Sequence, residues 1–242
     1  NQFSPTFSTI LNFSNDHLDW HSSKKEYLSS KLKVFGIPKP TAKAFICRED
    51  TELSKKINLH LSTNRINFAS STFGVGLPST DQSFGINKSG QFCFKFLPEK
   101  INVREFPLRI EEVNLIGDHN YSNITCCLAI VSQFSKNFSQ MAKVLKSHTG
   151  EPHRLESFLT NGNVNYIDDS KATNIAATIS AIKSLKEPLI LILGGLTKGQ
   201  NFNLLTETLH LRSINLIVFG LDVSSICESL ENSSLLFTKA KD

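Results

Sequence analysis

The run Tyr166-Ile-Asp-Asp-Ser-Lys-Ala-Thr-Asn-Ile-Ala-Ala-Thr-Ile-Ser-Ala-Ile182 constrains the fold more than any other part of this sequence. Residues 164–167 read as the end of a β-strand, and the Ala/Ile-rich stretch from about 175 reads as a helix. Between them, Asp168, Asp169, Ser170, Lys171, Thr173 and Asn174 make six polar residues in seven positions. A strand entering a helix through such a turn aims backbone N–H groups and the positive end of the helix dipole at one spot. In open α/β sheets that spot, beyond the carboxyl ends of the strands, is where ligands bind. Asp169 is suited to ribose hydroxyls, Lys171 to a phosphate or carboxylate, and Thr173 to a second anionic group. Asp, Ser, Thr and Asn are also ordinary N-cap residues. One cap accounts for one or two of them and leaves Lys171 and the paired aspartates over.

The chain opens on a similar arrangement. Residues 6–13 (TFSTILNF) have the length and apolar content of a buried strand. They deliver the polar loop Ser14-Asn-Asp-His-Leu-Asp-Trp-His21. Ser22 or Ser23 then caps a helix to about residue 35, with Tyr27, Leu28, Leu32 and Phe35 at helical spacing. A strand is expected at 42–47, and shorter ones at 66–68, 83–87 and 91–96, the last two joined by the turn Asn87-Lys-Ser-Gly90. The loop Gly74-Val-Gly-Leu-Pro-Ser-Thr80 has no lysine to reach phosphates and reads as a connection between strands. Residues 106–112 alternate apolar and polar, and a helix is expected over 124–135. Just before it, Asn120 and Asn123 are three apart and share a face. Their carboxamides match the donor–acceptor edge of adenine, although either residue taken alone also suits an N-cap.

A short helix ending near 146 and the turn-rich stretch 147–152 mark a domain boundary. Beyond it, strands near 158 and at 164–167, 188–193 and 214–219 are interleaved with helices from 174, near 204–209 and at 223–230. Continuous apolar strands interleaved with helices indicate a parallel, doubly wound sheet. A chain of 242 residues holds one large domain or two modest ones. The expected division is 1–150 and 151–242. Its net charge of +4 is spread without a dense Lys/Arg run, so no nucleic-acid partner is expected. The five cysteines form no CxxC pair and have no His at metal-ligand spacing, which suits free thiols in a reducing compartment. No stretch approaches the ~20 apolar residues of a membrane span, and no signal-peptide pattern is present. A cytoplasmic location without a membrane partner is expected. The start at Asn1-Gln2-Phe3 and the strand-like Leu235-Leu-Phe237 close to the end both read as cuts through a sheet, so a fragment is expected.

Four segments, in order, resemble the Mur ligase family. Asn12-Phe-Ser-Asn-Asp-His-Leu-Asp-Trp-His21, with Lys31 in the helix behind it, resembles the family's Asp-His-Leu-Asp-Arg-His loop and modified lysine. Gly117-Asp-His-Asn-Tyr-Ser-Asn123 resembles its adenine motif, and Pro152-His-Arg-Leu-Glu156 its interdomain hinge. Asp169-Ser-Lys-Ala-Thr-Asn174, with Gly194-Gly195 and Lys198-Gly199, resembles the members that add D-glutamate to UDP-N-acetylmuramoyl-L-alanine. The resemblance implies an α/β fold: part of the central Mur-ligase ATPase domain, then an incomplete Rossmann-like, doubly wound C-terminal domain that binds the amino acid. The family's N-terminal domain, its Gly-x-x-Gly-Lys-[Ser/Thr] phosphate loop and the last part of its C-terminal domain have no counterpart here. Trp20 stands where the family usually has Arg, and Thr197 where Asp is common.

The same resemblance implies ATP-driven amide formation in peptidoglycan synthesis, through an acyl phosphate that the amine of D-glutamate displaces. It implies ATP and a pair of Mg2+ ions, one held by His17 and a carbamylated Lys31. Lys33 lies close by, and chemistry alone does not choose between the two lysines. Asn120 and Asn123 would hold adenine, Asp169 the ribose, and Arg154 the nucleotide. Lys171 and Thr173 would face the reacting end, and Lys198 a carboxylate of D-glutamate. His153 would support the hinge or act in catalysis. Closure about residues 148–154 is expected, as is a monomer when complete. Two other readings stay open: a superfamily ligase for another amino acid, folylpolyglutamate synthase included, and a non-catalytic nucleotide-binding fragment. Residues 1–242 alone are expected to be inactive.

Overall fold

The computed structural model describes residues 3–14, 20–37, 39–64, 66, 68–79, 82–96, 103–195, 200–220 and 223–240. The chain divides into two compact units, residues 1–150 and 151–242.

Unit 1 is built on β2, Lys43–Cys47, whose side chains feed two cores because successive residues of a strand point to opposite faces. Ala44 and Ile46 join Ile10, Leu53, Ile57 and Leu61 on one side. Phe45 and Cys47 join Phe73, Phe84, Phe94, Phe106 and Leu128 on the other. A strand apolar on both faces belongs inside a covered sheet. β2 accordingly lies between β1, Phe7–Ile10, and β3, Ala69–Phe73, parallel to both. Next come β4, Ser83–Ile86, then β5, Gln91–Lys95, and β6, Arg104–Arg109, giving the order β1-β2-β3-β4-β5-β6. β4 joins β3 in parallel, and β5 and β6 add antiparallel.

The helices explain the layers. α1, Lys24–Leu32, starts at Ser23, whose hydroxyl accepts from Glu26 N at 3.2 Å, while the Glu26 carboxylate takes Ser22 N at 2.8 Å. Reciprocal capping of this kind fixes a helix start. α2, Thr51–Thr63, lies in a stretch for which the sequence reading expects no helix. Asp50 caps it through Leu53 N at 2.9 Å, and Leu53, Ile57 and Leu61 make its buried stripe. α1 and α2 cover the Ala44 side. α3, Asp118–Val131, and α4, Phe138–Ser147, cover the Phe45 side. The third strand begins at Ala69, not at 66. The alternating stretch 106–112 leaves β6 after Arg109, where Glu112 takes Arg109 N at 2.8 Å and closes a 3-10 turn over Ile110–Glu112.

Unit 2 carries β9, Leu189–Gly194, β10, Ile214–Phe219, and β11, Phe237–Lys239, in a parallel sheet ordered β11-β10-β9. β7, Glu156–Asn161, and β8, Val164–Asp168, form a separate antiparallel ribbon. Gly162, at φ +58, turns that ribbon in the left-handed region open to glycine. α5, Ile175–Ser184, α6, Asn203–His210, and α7, Ser224–Asn232, bring Ile182, Leu205, Leu209, Ile226 and Leu230 against Leu216 and Val218 of β10. Parallel strands and intervening helices make the chain a mixed α/β protein, with the antiparallel ribbon as a departure from simple alternation.

Candidate functional site

The turn after β8 is the most tightly organised part of unit 2. Asp168 Oδ1 accepts from Ser170 N at 2.8 Å, and its Oδ2 lies 2.7 Å from His153 Nδ1. A carboxylate only accepts, so the ring nitrogen donates. Asp169 Oδ1 accepts from Leu155 N at 3.0 Å. Lys171 N donates to the His153 carbonyl at 3.1 Å, and Ala172 N to the Asp169 carbonyl at 2.8 Å. Asn174 ends the turn and caps α5 through Ala177 N at 2.8 Å. The side chains of Lys171 and Thr173 are exposed and Asp169 is half-buried. Arg154 is exposed beside His153. Asp169, Lys171, Thr173, His153 and Arg154 therefore belong to one stitched element.

Gln200 was missing from the sequence reading. Its Oε1 takes Ile175 N at 2.9 Å, and its Nε2 donates to the Thr173 carbonyl at 3.2 Å. It ties the chain arriving from the Gly194-Gly195 loop to the start of α5. A glutamine just after a Gly-rich loop gave no local signal, because its partners lie 25 and 27 residues away. Lys198 and Thr197 lie outside the described residues.

In unit 1, α3 begins at Asp118, six residues before the expected start, with Gly117 as its N-cap at φ +98. Neither Asn120 nor Asn123 is the cap. Asn120 sits inside the first turn, and its Nδ2 donates to the Ile116 carbonyl at 2.8 Å. Asn123 follows one turn on, half-buried. Lys31 is half-buried on α1, with Nζ 5.0 Å from the centroid of the Tyr27 ring. That ring stacks on His21 at 5.1 Å and tilts on Phe13 at 5.4 Å. Lys33 is exposed and opens the 3-10 turn Lys33–Phe35. Trp20 is 85% exposed. His17 lies outside the described residues.

Among the described residues, His153, Glu156 and Asp168 bring metal-ligating atoms within 4.8 Å of one another. The hydrogen bond from His153, followed by those from the Ser170 backbone and hydroxyl, lowers the Asp168 carboxyl from 3.8 to about 2. A group depressed on folding stabilises fully above its unfolded value, and that contribution fades as pH falls through the folded value. The window here runs from about pH 4 down to about 2. The Asp168 carboxyl carbon, followed by NMR, is expected to titrate with a midpoint of about 2, and to move back up in His153→Ala. A midpoint at 3.8 with His153 intact would sink the assignment.

Three of the five cysteines are core residues, while Cys127 is exposed and Cys227 half-buried. Cys47, Cys93 and Cys126 are buried and none is in a disulfide. Burial pushes the Cys126 thiol up to about 12 and that of Cys93 to about 11. No helix among the described residues is long and apolar enough to cross a membrane.

Layered, mostly parallel α/β units with a polar turn beyond a strand end have the arrangement in which open α/β sheets bind ligands. Solved structures share the architecture. MurF from Acinetobacter baumannii superposes with a TM-score of 0.66 at 16% identity, over 98% of this chain and 51% of that one. A bifunctional folylpolyglutamate synthase/dihydrofolate synthase from Yersinia pestis, complexed with AMPPNP and Mn ion, gives 0.63 at 11% identity, over 98% and 53%. At those identities the likeness is one of fold. Residues 1–131 match the family described as the Mur ligase middle domain, and the chain belongs to the Mur ligase family.

Among curated relatives, the UDP-N-acetylmuramoylalanine–D-glutamate ligase of Cupriavidus pinatubonensis is 30% identical over 252 residues, covering 95% of this chain and 49% of its own length. That of a Polaromonas species is 30% identical over 257 residues, covering 98% and 43%. The chain thus spans about half the length of the curated relatives it matches.

Proposed function

We propose that this chain is the central and C-terminal part of an ATP-dependent ligase that joins D-glutamate to UDP-N-acetylmuramoyl-L-alanine. The observation that carries the reading is the Asp169–Asn174 turn, fastened to the 153–155 linker and capping α5, in a chain that aligns over 95% of its length with a relative of that name. Residues 1–150 are taken as the ATP-binding portion and 151–242 as the amino-acid-binding portion. The reaction is amide formation by way of an acyl phosphate, in peptidoglycan synthesis.

Phosphoryl transfer asks a protein mainly to position groups and neutralise charge. Asn120 and Asn123 would present amide groups to adenine. Asn120 spends one N–H on Ile116, which leaves its carbonyl oxygen and its second N–H for adenine. Asp169, steadied by Leu155 N, would accept from ribose hydroxyls, with Arg154 on the nucleotide phosphates. Lys171 and Thr173, exposed at the positive end of α5, would face the acyl phosphate. Lys198 would pair with a carboxylate of D-glutamate, and His153 fixes the linker.

Mg2+, when bound, supplies positive charge that offsets the phosphate oxygens. His17 and a carbamylated Lys31 would hold one ion. Lys31 forms no ion pair with a described residue, and carbamylation would replace the contact of its ammonium with the Tyr27 ring.

The test is a screen of amino acids with the complete protein, ATP, Mg2+ and UDP-N-acetylmuramoyl-L-alanine, read by phosphate release and product mass. D-glutamate is expected to be the strongly preferred amine. A strong preference for any other amino acid would replace this assignment with another branch of the family.

A further inference from the structure

The linker entering unit 2 and the turn leaving β8 are fifteen positions apart between His153 and Asp168, yet they are joined at several points. His153 Nδ1 reaches Asp168 at 2.7 Å, Leu155 N reaches Asp169 at 3.0 Å, and Lys171 N reaches the His153 carbonyl at 3.1 Å. Glu156 closes the linker on itself by accepting from His153 N at 2.8 Å. Two of the linker residues, His153 at φ +65 and Leu155 at φ +46, occupy the left-handed region although neither is glycine. Such conformations persist only where the surroundings over-determine them. The bonds to Asp168, Asp169 and Lys171 are those surroundings.

We propose that Asp168 is a positioning residue: through His153 it clamps the left-handed linker onto the 168–171 turn and so fixes the orientation of Asp169 and Lys171. Asp168 itself faces no ligand in the reading above. Its oxygens are used by Ser170 N and His153. A donor already joins His153 Nδ1 to Asp168 Oδ2, so the trio with Glu156 closes as a hydrogen-bonded latch without a cation. The latch stands on geometry alone, whereas the consequence for ligands rests on the proposed roles of Asp169 and Lys171.

Two measurements separate those parts. The first is hydrogen exchange at single amides in the 242-residue chain. Asp168→Ala is expected to speed exchange at Leu155 and Lys171 by about tenfold or more while Ile182 and Val218 keep their rates. Asp168→Asn keeps one oxygen for Ser170 N, and its amide N–H can donate to His153 Nδ1 in the other ring tautomer, so it is expected to stay within about threefold. His153→Ala should reproduce the alanine result, and the double variant should add nothing, as for partners in one interaction. Unaltered rates at Leu155 and Lys171 overturn the latch, and so does a uniform rise across unit 2.

The second is kinetics of the complete protein. Asp168→Ala is expected to raise the KM for ATP by about tenfold, with the KM for D-glutamate within about twofold and recovery in Asp168→Asn. Local release without a change in the ATP KM overturns the positioning role. If the unaltered complete protein ligates nothing, the proposed function and the positioning role fall together, and the exchange result for the latch still stands.

Discussion

Phe94→Ala is expected to destabilise unit 1 by about 3–5 kcal/mol, the range for removing a fully buried aromatic side chain. Phe94 is 2% exposed on β5. Its ring meets Phe96 and Phe106 at 4.8 Å, Phe138 at 5.1 Å and Phe84 at 6.1 Å. Those partners come from β4, the residue just after β5, β6 and α4, so a single truncation opens a void that several elements would have to move to fill. Close-packed rings held by different strands collapse poorly, which places the cost towards the upper end. Aromatic pairs contribute beyond area alone, so Phe94→Leu should still cost about 1 kcal/mol. The control is Phe158→Ala on β7, where the ring is 61% exposed and the expected change is within about 0.5 kcal/mol. Because the chain has two units, the readout should be hydrogen exchange of β4 and β5 amides in urea rather than one global melting curve. A loss below about 1 kcal/mol for Phe94→Ala would mean that this cluster is not the core of unit 1.

The strongest local signals in the sequence correspond to the clearest structure, and the differences have physical causes. Asn174 begins α5 because its side chain can cap only the helix that follows, a rule readable from the residues themselves. α2 carried comparable signals, Asp50 as cap and Leu53, Ile57 and Leu61 at four-residue spacing. Its pattern is blurred because Leu59 falls off that stripe, exposed, among polar residues such as Ser54, Lys55, Lys56 and Asn58. The start of α3 misled for the opposite reason. Asp118, His119, Asn120, Tyr121 and Ser122 look like a loop, but Gly117 at φ +98 turns the chain into the helix before them. Asn120 and Asn123 thus sit on regular helix, where their spacing means a shared face.

The β7–β8 ribbon shows a limit of pattern reading. The two strands are consecutive and stand between helices, but their pairing direction is set by the turn at Gly162, and an apolar run does not encode it. At the candidate site, the polar cluster 168–174 was legible and its use was only partly so. Its dependence on His153, Leu155 and Gln200 arises from contacts with distant parts of the chain, which no local pattern carries.

Lys31→Ala in the complete protein is expected to lower ligase turnover by roughly 10²-fold or more, the scale on which fixed charges act in phosphoryl and acyl transfer. Lys33→Ala is expected to stay within about threefold. The sequence leaves the two lysines equivalent, but the helix does not. Residues two apart point to nearly opposite sides of a helix, whereas residues four apart share a face. Lys31 shares its face with Tyr27, whose ring touches His21 and Phe13. Those two residues stand on either side of His17 in the sequence. Lys33 has left the helix and stands exposed at the start of the 3-10 turn Lys33–Phe35. A carbamate adds a negative charge, and that charge is useful only where a second ligand can share a cation with it. The chemistry can be read independently of turnover. With 13CO2 supplied, a carbamate resonance is expected in the unaltered protein and in Lys33→Ala, and is expected to vanish in Lys31→Ala. Full turnover in Lys31→Ala, or a carbamate signal that follows Lys33 instead, would move the modified lysine off the Tyr27 face. The aromatic stack of Phe13, Tyr27 and His21 would then be a packing feature of α1 and nothing more.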